Sequence, residues 1–235
     1  MVAGNLSRGT ARSPQRYRKR RPLPAIGLVI VLGVAAAAVW YNVIQAEKDG
    51  TEALACDPPP SIVPVEGQSL PTLGQALTRD SLDRTPPTPA ADALVRVVNA
   101  SGQNRQAGAV TETLRELGFT RIAPPDNDVL YRNGSLNCRA QIRFGQQGMS
   151  AARTLSLIEP CAELVRDDRQ DATVDLAIGR IFDHLQPRPE ARRVLEQLNE
   201  WTMTNPGDQG GLAADGSTAA PVEASLLQAA RAVRC

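Results

Sequence analysis

Four cysteines carry the most specific chemistry in this 235-residue sequence. An even number of cysteines outside the reducing cytoplasm indicates disulfides, and four cysteines allow three pairings. We predict the pairs Cys138–Cys161 and Cys56–Cys235, because the first would join two candidate strands that flank one helix and the second would fasten the C-terminal tail. The alternative is that one or both pairs stay reduced. A zinc site is disfavoured, since the sequence has no Cys-x-x-Cys motif and only one histidine.

The one histidine, His184, follows Asp183, and such a pair could take part in acid–base catalysis. The segment around it, GRIFDHLQ, is predicted to be helical, and neighbouring side chains on a helix point about 100° apart. The two side chains would then not form a hydrogen-bonded relay. We predict a partly exposed histidine on a helix, no catalytic residues and a protein that is not an enzyme.

Two other polar stretches could hold ions but lack the spacing that ion sites need. RDDRQD (Arg166–Asp171) interleaves arginines with acids and has no calcium-loop pattern, so we predict a solvated turn and no metal. NASGQNRQAG (Asn99–Gly108) is a strand-to-helix turn without the glycine spacing or the lysine of a phosphate site. We interpret Gly102 as a turn residue and Asn99 as a turn or cap residue. No cofactor is predicted.

The long apolar segment near the N-terminus determines the compartment of these groups. Leu23–Tyr41 has 19 residues without a charge, which as a helix would span about 29 Å, close to the thickness of the hydrocarbon layer. Seven basic residues and no acidic residue precede it, so the N-terminus is predicted to be cytoplasmic and the remainder extracytoplasmic. A cleaved signal ending in Ala35–Ala38 and a lipoprotein site at Cys56 are the alternatives, and both also export the chain. The predicted membrane-anchor residues are Ile26, Leu28, Val31, Leu32, Val34, Val39 and Trp40.

The charge balance restricts the partners. After residue 24 the chain carries 19 basic and 25 acidic residues, so its exported part is mildly acidic. Such a balance, without a basic patch, argues against nucleic acid as a partner. We predict a single-pass protein of the plasma membrane with the membrane as its first partner.

Proline and glycine content divides the chain into segments. We predict a basic cytoplasmic tail (1–24), a transmembrane helix (25–44), a proline-rich extracytoplasmic linker (45–91), an α/β domain (92–204), a flexible Gly/Ala/Asp-rich loop (205–222) and a C-terminal helix tied back by Cys235 (223–235). Within the linker, Leu70–Leu82 is predicted to form one or two helical turns.

Hydrophobic periodicity predicts the order β-α-β-β-α-β-β in the domain, with further helices after it. The predicted strands are 93–101, 119–122, 137–145, 161–168 and 171–179; the predicted helices are 102–118, 146–160, 179–186, 190–201 and 222–234; and 123–135 is predicted to be a loop. The predicted fold class is a small α/β (α+β) sandwich, with one mixed sheet and helices packed on it, preceded by a single transmembrane helix.

Three stretches in this order resemble the LytR C-terminal domain family: VRVVNASGQNRQAGAVTETLRELGF, QIRFGQQGMSAARTLSLI and ATVDLAIG. The resemblance covers Val95–Phe182, and the layout as a whole is similar to that of actinobacterial envelope proteins that carry this domain. It implies an extracytoplasmic, non-enzymatic protein that supports cell-envelope integrity. In larger relatives the domain follows a phosphotransferase domain, for which this chain has no room.

The resemblance also implies a hydrophobic pocket beside the sheet that holds an apolar, lipid-like envelope ligand. The candidate residues are Val110, Leu114, Leu117, Phe119, Leu155 and Ile158, and the alternative is that they form an ordinary core. The predicted function is therefore a membrane-anchored binding protein for an apolar envelope ligand. The alternative is a non-enzymatic scaffold that binds cell-wall assembly proteins or a glycopolymer.

Overall fold

A computed structural model describes residues 23–52, 55–60, 73–205 and 222–235, with side chains from residue 26 to 41 in the first range. The basic tail before residue 23, most of the predicted flexible loop, and part of the linker lie outside the described residues. The chain divides into two compact units, Met1–Ala46 and Glu47–Cys235.

The first unit contains the N-terminal part of helix α1, Leu23–Glu52. Pro24 stands near the start of the helix, where its fixed φ angle and missing amide are tolerated, and a run of alanines follows in the middle. Between residues 26 and 41, where its side chains are described, the large apolar ones are exposed, from 51% for Ile26 to 68% for Trp40. Over the portion of the chain that the structure describes, no helix is both long enough and apolar enough to cross a membrane.

The second unit is built on one mixed sheet of six strands, in the order β1-β5-β4-β6-β2-β3. The strands β2, β3 and β6 are parallel to one another, β4 is parallel to β5, and β1/β5 and β4/β6 are antiparallel pairs. The mixed sheet confirms the predicted fold class for this unit. The strands are β1 Gln75–Leu77, β2 Val95–Asn99, β3 Ile122–Asn127, β4 Ala140–Phe144, β5 Glu163–Arg166 and β6 Val174–Ile178.

Four helices share the main core with the sheet: the first two pack directly on one of its faces, and the last two pack on the second helix and on each other. Alternation along β4 turns Ala140, Ile142 and Phe144 towards the helices, as the period of two predicts. Gly118, with a φ angle of 93°, ends α2 as predicted, since only a residue without a Cβ adopts this conformation readily. The helices are α2 Gln106–Glu116, α3 Met149–Ile158, α4 Pro189–Thr204 and α5 Ala224–Arg231, and a 3-10 turn, Gln146–Gly148, precedes α3.

The opposite face of the sheet is more polar and is covered by irregular segments. Gln141 and Arg143 of β4 point to it, and a small apolar cluster built around Tyr131 and Leu136 packs at one end. The cover comes from residues 55–60 and from the loop 128–138, whose contacts are described below.

Three predicted elements are wrong in type or extent. Of the predicted helical turns at Leu70–Leu82, residues 70–72 lie outside the described residues, and 73–82 form β1 and turns instead. Leu82 is 1% exposed, so the described part of this stretch belongs to the domain rather than to a free linker. The predicted short strand 119–122 is displaced to β3, which runs through Pro124 and Pro125; proline is tolerated there because β3 is an edge strand.

The predicted helix 179–186 is irregular instead. The amides of Arg180 and Ile181 donate to the carbonyls of Leu136 and Cys138, at 2.9 and 3.4 Å, rather than to carbonyls within their own segment. Tertiary hydrogen bonds therefore override the apolar spacing that suggested a helix.

Candidate functional site

The four cysteines form two disulfides, but the predicted pairing is wrong. The bonds join Cys56 to Cys138 and Cys161 to Cys235, with Cα–Cα distances of 5.0 and 5.4 Å. Although β4 and β5 are neighbours, Cys138 belongs to the apolar cluster on the polar face of the sheet, whereas Cys161 follows α3 and meets the C-terminal tail. The prediction of two disulfides is confirmed, and the exchange of partners places the strap 55–60 on the sheet.

The strap 55–60 is held by polar contacts as well as by its disulfide. The amide of Cys56 donates to Oε1 of Glu163 at 3.3 Å, and the hydroxyl of Tyr131 donates to the carbonyl of Asp57 at 2.7 Å. The side-chain amide of Asn137 donates to the carboxylate of Asp57 at 3.2 Å. The strap is thus part of the domain and covers the buried polar groups of β4 and β5.

Below the strap, a buried ion pair joins β4 to the loop 128–138. Arg143 Nη1 donates to Asp128 Oδ2 at 2.7 Å, and these side chains are 5% and 0% exposed. The other carboxylate oxygen of Asp128 accepts the amides of Leu130 and Tyr131, which fixes the loop. The guanidinium of Arg143 also lies over the Tyr131 ring, 5.4 Å from its centre. Burial raises the pKa of Tyr131, so its hydroxyl stays protonated and donates to the strap.

A second polar cluster includes part of the turn Arg166–Asp171, which the sequence pattern predicts to be solvated. Arg169 contacts Asp167 at 2.6 Å and Asp175 at 2.9 Å, and Arg96 contacts Asp175 at 2.7 Å. Burial alone would raise the pKa of Asp175, but hydrogen bonds from the two arginines outweigh it and lower the pKa. The interpretation of Arg166–Asp171 as wholly solvated is therefore wrong for Asp167 and Arg169, because β6 places a buried carboxylate beside them.

Asp183 and His184 do contact each other, contrary to the prediction. Asp183 Oδ2 lies 3.1 Å from Nδ1 of His184, which is possible because the segment is not helical. The other histidine nitrogen, Nε2, meets the side-chain oxygen of Gln186 at 3.1 Å, and both members of the pair are largely exposed. A hydrogen bond from Arg139 lowers the pKa of Asp183 to about 2. Arg139 also binds Glu159 at 2.8 Å, so the cluster joins the segment before β4 to the end of α3 and to the segment after β6.

The turn after β2 is confirmed. Gly102 has a φ angle of 76°, and the Asn99 side-chain oxygen accepts the amide of Ser101 at 3.1 Å. What the sequence reasoning missed is that Gly134 contacts this turn: a Cβ at Gly134 would lie 2.4 Å from the Gly102 nitrogen. The dipeptide Asn133–Gly134 is a turn signal, but nothing in the sequence shows which loop it meets.

The six apolar candidates lie in the main core. Leu114, Phe119, Leu155 and Ile158 are at most 1% exposed, Val110 is 4% exposed, and Leu117 packs on the core from its border. Side chains buried to this degree contact almost no space that water could enter. They connect α2 and α3 to the sheet, which is the role that the alternative prediction gave them.

A family model described as LytR cell envelope-related transcriptional attenuator matches residues 92–182, which span β2 to the end of the turn after β6. The class is therefore that of envelope proteins with a LytR-type C-terminal domain.

The relatives define the family more narrowly. The chain is 36% identical over 215 residues to the cell envelope integrity protein Cei of Mycobacterium tuberculosis (strain ATCC 25618 / H37Rv), which covers 91% of this chain and 97% of that protein. It also matches the crystal structure of the soluble domain of a conserved hypothetical secreted protein from Mycobacterium marinum, with a TM-score of 0.57 and 33% identity over 69% of this chain and 99% of that one. The chain belongs to the family of the cell envelope integrity protein Cei.

Proposed function

We propose that this protein is a non-enzymatic envelope protein, anchored by α1 in the plasma membrane, whose extracytoplasmic α/β domain acts by binding. The observation that carries the proposal is the similarity to Cei, which extends over 91% of the chain and so well beyond the domain itself. The two disulfides support an oxidising compartment.

The anchor is supported by the apolar side chains of α1. Ile26, Val31 and Trp40 are exposed, and exposed side chains of this kind are stable in hydrocarbon, with the aromatic residue near the headgroups. The basic residues before the helix favour an N-terminus in the cytoplasm. Resistance of the membrane-bound protein to extraction with alkaline carbonate tests this, and release into the soluble fraction would contradict it.

The binding surface is the outside of the domain rather than its core. Leu114 and Leu155 are 0% exposed, so an apolar ligand between the helices and the sheet would have to displace packed side chains. A scaffold that binds cell-wall assembly proteins or a glycopolymer needs no such rearrangement.

An apolar envelope ligand is the second candidate, and a different observation favours it. The inward faces of α2 and α3 carry Ala107, Ala151 and Ala152, which are small enough to be displaced at low cost when the helices separate from the sheet. Native mass spectrometry of the protein purified from its own membranes distinguishes the two. The scaffold predicts the mass of the chain alone, whereas a retained lipid that survives delipidating washes would favour the ligand.

A further inference from the structure

The pairing of Cys56 with Cys138 changes the length of the tether between the anchor and the domain. Cys56 is 15 residues beyond Tyr41, where the apolar run ends, whereas Leu73, the first described residue before β1, is 32 residues beyond it. Fully extended, 15 residues reach about 54 Å and 32 residues about 115 Å. Because α1 continues to Glu52, 11 of the 15 residues rise only 1.5 Å each, and the reach falls to about 31 Å.

The disulfide also determines which end of the sheet is tethered. Cys138 lies two residues before β4, whose first residue, Ala140, pairs with Ile178 at the carboxyl end of β6. The parallel strands β2, β3 and β6 all end on this side. We define the carboxyl-end loops as residues 100–105, 128–139 and 179–184, which follow these strands or precede β4.

We propose that the Cys56–Cys138 bond holds the carboxyl-end loops against the lipid bilayer, so that this end of the domain is a membrane-contacting surface. The proposal rests on the proposed anchor. Without the disulfide, the whole proline-rich linker would separate the anchor from the domain. With the disulfide, the linker from residue 57 onward lies within a closed loop and does not affect the distance between the anchor and the domain.

The side chains at this end fit a bilayer surface. Val129 and Ile181 are 54% and 62% exposed, and they belong to two loops whose backbones are hydrogen-bonded to each other. Exposed aliphatic side chains flanked by cations are typical of surfaces that contact the boundary between headgroups and acyl chains. The exposed arginines on these loops are Arg105, Arg132 and Arg180, and none of them forms an ion pair with another described residue.

Both acids within these loops are paired with cations: Asp128 with Arg143 and Asp183 with Arg139. Among the described residues, the neighbouring Asp57 and Asp126 accept hydrogen bonds only from neutral amides and keep their negative charge. The three unpaired arginines outnumber these two acids, and we specify a bilayer that contains anionic lipid.

The test uses the full chain in vesicles of phosphatidylcholine and phosphatidylglycerol with headgroup spin-labelled lipid. A fluorescent amino acid replaces Val129 in one variant and Gln147, exposed at the opposite end of the sheet, in its control. The proposal predicts that the spin-labelled lipid quenches the fluorescence at position 129 and does not quench it at position 147. Equal quenching at both positions would overturn it.

A pair of insertions tests the role of the disulfide while leaving the domain intact. A flexible segment of about 20 residues, on the order of 25 Å in root-mean-square length, is placed either between Thr51 and Cys56 or between Val65 and Glu66. Only the first lengthens the tether, so it should reduce quenching at position 129, whereas the second lies inside the disulfide-closed loop and should leave it unchanged. The same effect from both insertions would contradict the proposal.

Co-flotation with the vesicles distinguishes failure of the proposed anchor from failure of the proposed membrane-contacting surface. A chain that fails to float overturns the anchor and this inference with it. A chain that floats but shows no preference for position 129 overturns the inference alone.

Discussion

At the scale of single residues, the domain depends on charged side chains that are buried and paired. Asp128 and Arg143 are the clearest case, because both are almost completely buried. Their ion pair joins the loop 128–138, which carries Asp128, to β4, which carries Arg143. Removing one member of such a pair leaves an uncompensated charge in a low-dielectric interior. The resulting loss of stability is larger than the loss on breaking an exposed pair.

Replacing Asp128 by alanine is therefore expected to lower the free energy of unfolding by about 3–5 kcal/mol. The control is Glu112→Gln, which breaks an exposed pair with Arg115 and should cost less than about 1 kcal/mol. Urea unfolding of both variants measures the difference, and equal losses would show that the buried pair is not the main attachment of this loop.

Asp175 should make stability depend on pH. Its pKa is lowered from the ordinary value of 3.8, so the folded state binds fewer protons than the unfolded state near that value. The stability that it contributes is present above pH 3.8 and is lost as the pH falls through the lowered folded pKa. Asp175→Asn should therefore be less stable than the wild type at neutral pH and approach it below pH 3.8 in urea unfolding. An exposed control, Asp168→Asn, should follow the wild-type curve, and a gap for Asp175→Asn that stays constant down to low pH would contradict the assignment.

At the scale of elements, the C-terminal helix is attached by charges and by a disulfide. Arg231 of α5 and Arg153 of α3 share Asp83, and Arg79 donates to the carbonyl of Val233 at 3.1 Å. Arg153 and Arg231 are buried, so both depend on one carboxylate from the segment after β1. The guanidinium groups of Arg153 and Arg231 therefore repel each other. Burial lowers the pKa of Arg153 most, and the charge of Arg231 lowers it further.

Asp83→Asn is expected to destabilise the domain by about 2 kcal/mol, the usual size of a lost charge-assisted hydrogen bond. Amide exchange over 226–231 should accelerate more than exchange in β4 or β6. The control is Asp80→Asn, an exposed acid on the same turn. If α5 exchanges at the wild-type rate in Asp83→Asn, its apolar contacts and the disulfide hold the helix without this charge cluster.

The sequence predicted elements well where local pattern and tertiary environment agree. Period-two alternation found β4, and helical spacing with a final glycine found α2. It failed where distant partners decide: β1 exists because it pairs with β5, and 179–186 is irregular because its amides bind the loop 136–138. In the candidate site, the number of disulfides followed from counting cysteines, but their pairing depends on which face of the sheet each cysteine lies on.

At the scale of the whole molecule, the two disulfides close loops of 82 and 74 residues. In the chain-entropy description each such bond stabilises the fold by about 4.5 kcal/mol. The double variant Cys161→Ser/Cys235→Ser should therefore lower the free energy of unfolding by up to about 4.5 kcal/mol. Denaturant unfolding measures this, and a loss below about 0.5 kcal/mol would mean that the bond does not restrict the unfolded chain.

The most direct test of the account is the compartment of the domain, since the disulfides, the envelope partners and the membrane-facing loops all require export. Alkaline phosphatase, which folds only outside the reducing cytoplasm, is fused after Cys235 of the full chain, and a cytoplasmic fluorescent protein is fused there in a parallel strain. We predict phosphatase activity in the membrane fraction and no fluorescence. Fluorescence with inactive phosphatase would contradict the account.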